Sequence, residues 1–535
     1  MIAFRRYFKT HPSFLTWLFF TGLSTFILFF ISPDSYFNDL HSRIDSAWFF
    51  MAGKAWMNGL VPYIDFTDSK GPLLWLIYGI GYLFSHTDYL GIFWISCIWY
   101  GLTYFFTYKT SRLFLPDDRK ALLCTVLMSL AFFNPWYHNE IRAEDFCLLF
   151  LTLSLYRVCI LLYTDPGEKE LKHSFFILGL CFGALFLIKF NIAAMQAVLI
   201  LAALIYLVRE KRSWTKPLIC GLGGLAVVWI PFLVYFLFVG NVSEFLQEYF
   251  INTLGTVNQP IPNEKNILLN ALPTNNPFIG YLWEWGDLIY RPHIGSLFIL
   301  LMLGGILFLA TKRKYRWIPL LCSIFIFAIT MRHHNWTYYF TSCSFLLVFL
   351  FVGILSLFPK PLSRFVATTL SISAICIAIL FHILSFNFKT LYFNDNVNQR
   401  EYYRVAYVMA QIKKPTLINA YLFERGFGAP AETLPAGKDW ALQLGYTQKM
   451  LEEHTALILS GKADFIIVDQ KSFDNPDYLS EQQILDLGYA ECLRFGKKDD
   501  LILLSKHPGL IIPEKVLLSR KDLFFKNYKQ RLFQK

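Results

Sequence analysis

Charge is scarce in this chain. Asp, Glu, Lys and Arg together make up 16% of its 535 residues, against 55% hydrophobic residues and a mean hydropathy of +0.42. Soluble globular domains carry about 25% charged residues, so this composition excludes one and describes a polytopic membrane protein. Cysteine is present but unpatterned: nine of the ten fall inside apolar runs and only Cys492 lies outside them, with no CxxC or Cys/His spacing. A disulfide framework and a structural zinc are therefore excluded. No glycine-rich loop follows a strand-like run, which removes a nucleotide cradle.

Aromatic residues are abundant instead, at 18% with 54 Phe, 29 Tyr and 14 Trp. They suit lipid-facing spans and interfacial belts. The net charge of +11 needs no nucleic acid, because basic residues in short loops are what the positive-inside rule produces.

Runs near the roughly 20 residues that cross a bilayer fall at 14–32, 89–108, 121–135, 146–163, 174–190, 192–208, 217–239, 294–310, 318–332, 338–358 and 365–386. These predict about eleven transmembrane helices. Arg5, Arg6 and Lys9 precede the first run, and no small-residue cleavage site follows it, so the N-terminus is expected in the cytoplasm. The apolar stretch Leu73 to Phe84 is too short to span. Laid flat in the interface, it leaves Lys109, Arg112, Arg119, Lys120, Lys169, Lys172, Arg209, Lys211, Arg212, Lys312, Arg313, Lys314, Lys360 and Arg364 all on the cytoplasmic side. Threaded through, it would invert every one of those loops.

With that parity the external segments are 33–88, 134–145, a short turn at 189–191, 240–293, 332–336 and everything beyond 387. Residues 1–386 form a transmembrane module, and the composition turns polar near residue 387, predicting an external domain over 387–535. In that tail 400–412, 446–459 and 480–487 read as helices, and Thr416 to Ala420, Asp464 to Val468 and Leu501 to Leu504 as buried strands. The pattern is a small α/β domain.

The first external segment is rich in acid: Asp34, Asp39, Asp45, Asp65 and Asp68, followed by Ser69-Lys70-Gly71-Pro72-Leu73-Leu74. A loop this long without a domain of its own tends to be functional. From Asp45, the residues Trp48, Phe49, Ala52, Ala55 and Trp56 recur at helical spacing, which predicts an amphipathic helix on the membrane surface. Asp45 sits in its N-terminal turn. It either caps the helix or serves as a base or metal ligand at the lipid surface.

These residues, Asp45, the helix to Gly59, Pro62-Tyr63, Asp65, Asp68 and Lys70-Gly71-Pro72-Leu73, resemble the first loop of GT-C superfamily membrane glycosyltransferases. The likeness is to bacterial family 39-like enzymes, a group with protein O-mannosyltransferases and the lipid A aminoarabinose transferase. The chain departs from the pattern with Gly71 where many relatives carry a first Pro, and with Asp45-Ser46 where several have Asp-Glu. The resemblance implies a GT-C fold, Asp45 as the catalytic acid of the loop, and a polyprenyl-phosphate-linked sugar as donor. The acceptor would be an envelope lipid, glycan or protein on the external face of a bacterial plasma membrane.

The second external segment carries His138, Glu140, Arg142, Glu144 and Asp145 beside the mouth of a span. GT-C enzymes similarly place a second acid here, and Glu144 or Asp145 matches it by offset. Acids at a helix N-terminus also complement its dipole. Loss of a polyprenyl phosphate develops negative charge that cations neutralise. The candidates are Lys70, Arg142, Lys189, Lys265, Arg291, Arg332, His333 and His334, with Tyr339 beside the last group. An interfacial snorkelling belt explains the aromatics there equally well. Asp45 and Glu144 are the candidate pair for Mg²⁺ or Mn²⁺, although the acids also suffice alone.

Three classes fit such a chain: a transferase that needs no nucleotide cradle and inverts at the sugar, a transporter or lipid flippase of envelope precursors, and a non-catalytic sensor. A transporter should show midplane charges and repeats, and almost none are evident. A sensor leaves two acidic loops without a shared purpose. The residues favour the transferase.

Overall fold

The computed structural model describes residues 12–36, 44–136, 138, 140–252, 292–311, 313–331, 337–385, 404–424, 426–442, 448–496 and 500–512. Among these, eight helices are long and apolar enough to cross a membrane: Ser13–Ile31, Leu90–Phe114, Ala143–Tyr163, Glu168–Ile188, Phe190–Arg209, Thr215–Val239, Thr337–Ser356 and Arg364–Ser385. The chain is a polytopic α-helical membrane protein. Two further expected spans are the shorter apolar helices His293–Leu309 and Ile318–Met331. The expected span at 121–135 holds two consecutive helices, Asp118–Leu127 and Ser129–Phe132, joined through Met128, which keeps helical dihedrals. Asp117 caps the first by accepting the Arg119 backbone N–H at 3.0 Å, and Asp118, Arg119 and Lys120 fill its opening turn.

The chain divides into two compact units. The first comprises residues 1–31, 96–232 and 263–386, the second 32–95, 233–262 and 387–535.

In the first unit the basic loops gather at one end. Arg119 donates to the Leu362 carbonyl at 2.9 Å, Lys120 to that of Phe358 and Arg313 to that of Phe114 at 3.4 Å. Lys314 pairs with Glu210 at 2.5 Å and Arg212 with Asp165 at 3.1 Å. Inside the helix packing, Gln196 donates to Ser154 Oγ at 2.8 Å and to the Leu178 carbonyl at 2.9 Å. Buried polar groups between membrane helices bond one another in this way.

In the second unit the helix Ile44–Met57 ends in a Schellman motif. Gly59, at φ +92°, bonds Trp56 O at 3.0 Å, and Leu60 N bonds Ala55 O at 3.1 Å. Only glycine takes that left-handed position without strain. The helix Pro72–Phe84 begins with proline at its first position, where the missing N–H costs nothing. The two helices meet backbone to backbone: a Cβ on Gly53 would lie 2.4 Å from Gly79 N.

Residues 46–55 of the first of these helices are all buried, Lys54 included. The two-faced surface helix expected from its spacing is therefore enclosed in this unit, with Phe49 on Tyr78 at 5.5 Å and Trp48 on Trp440 at 5.1 Å. The helix Pro72–Phe84 shows an apolar outer side, with Ile80, Leu83 and Phe84 exposed.

The tail holds a five-stranded sheet, β1 (Thr416–Ala420), β2 (Leu434–Pro435), β3 (Phe465–Asp469), β4 (Ala490–Phe495) and β5 (Leu501–Ser505), in the order β2-β1-β3-β5-β4. The pairs β1/β2 and β1/β3 are parallel, and β3/β5 and β4/β5 antiparallel. Alternate residues point to opposite faces, and both faces are covered. Leu417, Phe465, Ile467 and Leu503 enter one core, and Ile418, Ile466, Val468 and Leu504 the other. That is why these strands read as unbroken apolar runs.

Candidate functional site

Asp45 stands in the first turn of Ile44–Met57, half-buried. In the same unit, Asp68 lies buried in the extended segment before Pro72, with its carboxylate 3.8 Å from Lys70 Nζ. Its backbone neighbour secures it: the Ser69 N–H donates to Asp68 Oδ1 at 2.6 Å. Burial raises the Asp68 carboxyl above the usual carboxylate range, Lys70 partly offsets this, and the negative charge of Asp45 pushes it further up. Asp45, Asp68 and Lys70 thus share one electrostatic neighbourhood. Lys70 also donates to Ser69 Oγ at 2.8 Å and lies 5.8 Å from the Phe49 ring centre.

Around this group the unit is aromatic. Tyr63, held at φ +66° with its N–H on Phe66 O at 2.7 Å, packs on Trp75 at 4.9 Å and Phe245 at 5.4 Å. Burial, followed by Tyr249, Asp68 and Glu248, raises its hydroxyl well above the ordinary phenol value, so it remains a neutral hydrogen-bonding group. Asp65 is committed elsewhere, accepting the Val61 N–H at 2.7 Å.

The second-segment residues form a cluster in the first unit. Glu144 and Lys189 make a buried ion pair. Arg142 pairs with Glu140 at 2.5 Å and stacks over Tyr338 at 4.1 Å. Lys189 lies 3.7 Å from the Tyr339 ring centre, and Tyr338 stacks on Tyr339 at 5.1 Å. Burial lowers the Lys189 ammonium, but Glu144, then Tyr339 and Tyr338, outweigh it and raise it well above the ordinary lysine value. Asp145 accepts from Tyr100 Oη, lies 2.8 Å from His138 Nδ1 and caps its helix through the Arg142 N–H at 2.8 Å.

The sequence-predicted residues therefore fall into two sets. Glu140, Arg142, Glu144, Asp145, Lys189 and Tyr339 come together in one, and Asp45 and Lys70 in the other. Arg332, His333, His334, Lys265 and Arg291 lie outside the described residues. Asp68 and Tyr63 stand in the first-loop motif without an expected role of their own, and Lys54 carries no readable signal in the sequence.

Among the described residues no group of three or more His, Cys, Asp or Glu is arranged to hold a metal ion. The donor chemistry is also unfavourable at Glu144, whose carboxylate is engaged by an ammonium. A divalent ion prefers carboxylates not already neutralised by a cation. Glu144 fits an ion pair better than a metal ligand.

The fold has a counterpart among membrane proteins of known structure. Over 93% of this chain and 99% of the other, the structure matches the crystal structure of ArnT from Cupriavidus metallidurans bound to undecaprenyl phosphate, with a TM-score of 0.59 at 12% identity. The apo crystal structure of the same protein matches 92% of this chain and 98% of its own, at 0.55 and 11%. Residues 69–236 match the family model of the dolichyl-phosphate-mannose-protein mannosyltransferases. No curated protein sequence matches the chain.

Proposed function

We propose that this protein transfers a sugar from a polyprenyl-phosphate-linked donor to an acceptor in the cell envelope. The observation that carries this reading is the grouping of Asp45, Asp68 and Lys70 in the first loop of a GT-C fold. Undecaprenyl phosphate bound to ArnT and the dolichyl-phosphate-mannose family model support the donor class.

In the reaction, Asp45 accepts the proton of an acceptor hydroxyl whose oxygen attacks the anomeric carbon. The new C–O bond forms as the bond from that carbon to the phosphate oxygen breaks, and the polyprenyl phosphate departs with the electron pair. Single displacement inverts the anomeric centre. Lys70 offers its ammonium to the leaving phosphate, where charge develops in the transition state. Asp68, with its raised carboxyl, holds Lys70 without fully cancelling it. Arg142 is a second candidate for anionic contacts. The acceptor is an envelope lipid, glycan or protein on the external face of a bacterial inner membrane, with residues 387–535 on that side.

The test uses the full-length protein in nanodiscs with a polyprenyl phosphate carrying a radiolabelled sugar and extracted envelope acceptors. Label moving to an acceptor with stoichiometric release of polyprenyl phosphate supports the reading. No release with any polyprenyl-linked sugar supplied by the host membrane overturns it.

A further inference from the structure

We propose that the basic end of the first unit holds a binding site for an anionic phospholipid, unrelated to sugar transfer. A hollow of about 550 Å³ opens there, with apolar walls from Phe114, Leu115, Leu355 and Phe358 and with Asp117 and Lys120 among its polar lining. Lys120 is only 6% exposed, and its ammonium meets the Phe358 carbonyl rather than a carboxylate. A carbonyl satisfies the donor but leaves the charge uncompensated. Burying a cation in that state is costly unless an anion arrives.

The surroundings repeat the pattern. Arg119 donates to the Leu362 carbonyl and Arg313 to that of Phe114, where it also stacks at 5.1 Å. Neither forms a salt bridge among the described residues. The acids present are occupied: Asp117 accepts the Arg119 and Leu362 backbone N–H groups at 3.0 and 3.1 Å, and Asp118 pairs with Arg112. Phe358 and Leu357 are exposed beside the opening. A hollow with apolar walls and unneutralised cations matches an amphiphile with one phosphate and acyl chains. Basic pockets between membrane helices take such head groups, and the charge rules out a zwitterionic lipid as the preferred occupant.

The test is native mass spectrometry of the delipidated full-length protein titrated with phosphatidylglycerol, phosphatidylcholine, glycerol phosphate or polyprenyl phosphate. Phosphatidylglycerol is expected to give a saturable adduct that phosphatidylcholine does not. Arg119→Gln, at an exposed position, should weaken it about fivefold, and Lys120→Gln should weaken it at least as much. Equal retention of both phospholipids, or adducts unchanged in both variants, overturns the proposal. So does glycerol phosphate binding as tightly as the lipid, or polyprenyl phosphate displacing phosphatidylglycerol, since either identifies a different occupant.

Discussion

Lys54 Nζ donates to the carbonyl of Gly428 at 3.1 Å, joining two residues 374 positions apart in the sequence. Burial lowers the Lys54 ammonium to about 7, with Glu424 and Glu432 acting against it, while burial raises the Glu424 carboxyl to about 7. Gly428 is packed so closely that a Cβ would lie 2.0 Å from Thr433 Oγ1 and 2.7 Å from Met51 Cε. Gly428→Ala should therefore destabilise the protein by about 1–3 kcal/mol, seen as a lower midpoint in detergent thermal unfolding. An unchanged midpoint would show that the contact yields without cost.

Asp45→Asn is isosteric and Asp45 is only half-buried, so the fold should persist. Transfer should drop by about 10²–10⁴-fold, the range of a lost general base. The rate of polyprenyl phosphate release reads this directly, and activity within tenfold of the parent would remove Asp45 from the chemistry. Asp68→Asn should instead raise the KM for the donor more than it lowers kcat, because Lys70 loses the carboxylate that positions it.

The Glu144 and Lys189 pair is buried on both sides. Removing one partner strands the other charge, so Glu144→Gln and Lys189→Met should each cost about 3–5 kcal/mol. The double variant should recover much of that loss. Additive single effects in a double-mutant cycle of unfolding midpoints would argue against the pair.

His454 ties the tail together as a neutral ring. Its Nε2 accepts the Tyr421 N–H at 2.9 Å and its Nδ1 meets the Asp439 carbonyl at 2.5 Å, and burial lowers its pKa from 6.5 to about 4. The unfolded chain takes up the proton first as pH falls, so the stabilisation is full above about 6.5 and lost progressively down to about 4, by about 3 kcal/mol. Hydrogen exchange at the Tyr421 amide should accelerate across that window. In His454→Gln that pH dependence should vanish.

Local pattern carried much of this structure into the sequence. The apolar runs predicted the long helices, and 416–420, 464–468 and 501–504 predicted β1, β3 and β5 within a residue, since strands covered on both faces are apolar throughout. β2 escaped notice because two residues have no period. β4 escaped because Ala490, Glu491 and Arg494 are exposed on an edge, where apolar runs do not form. Asp45, Lys70, Arg142 and Glu144 stand out in the sequence as charged residues in loops beside spans. Lys54 was not, because helical spacing shows which residues share a face and not what a distant segment will lay upon it. The pairing of Glu144 with Lys189 was hidden for the same reason.

The bond between Lys54 and Gly428 also sets an order of events during biosynthesis. Lys54 leaves the ribosome hundreds of residues before its acceptor, and throughout that interval the helix bearing Asp45 lacks the carbonyl that holds its ammonium. The nascent chain must keep this cation hydrated or shielded until the tail arrives.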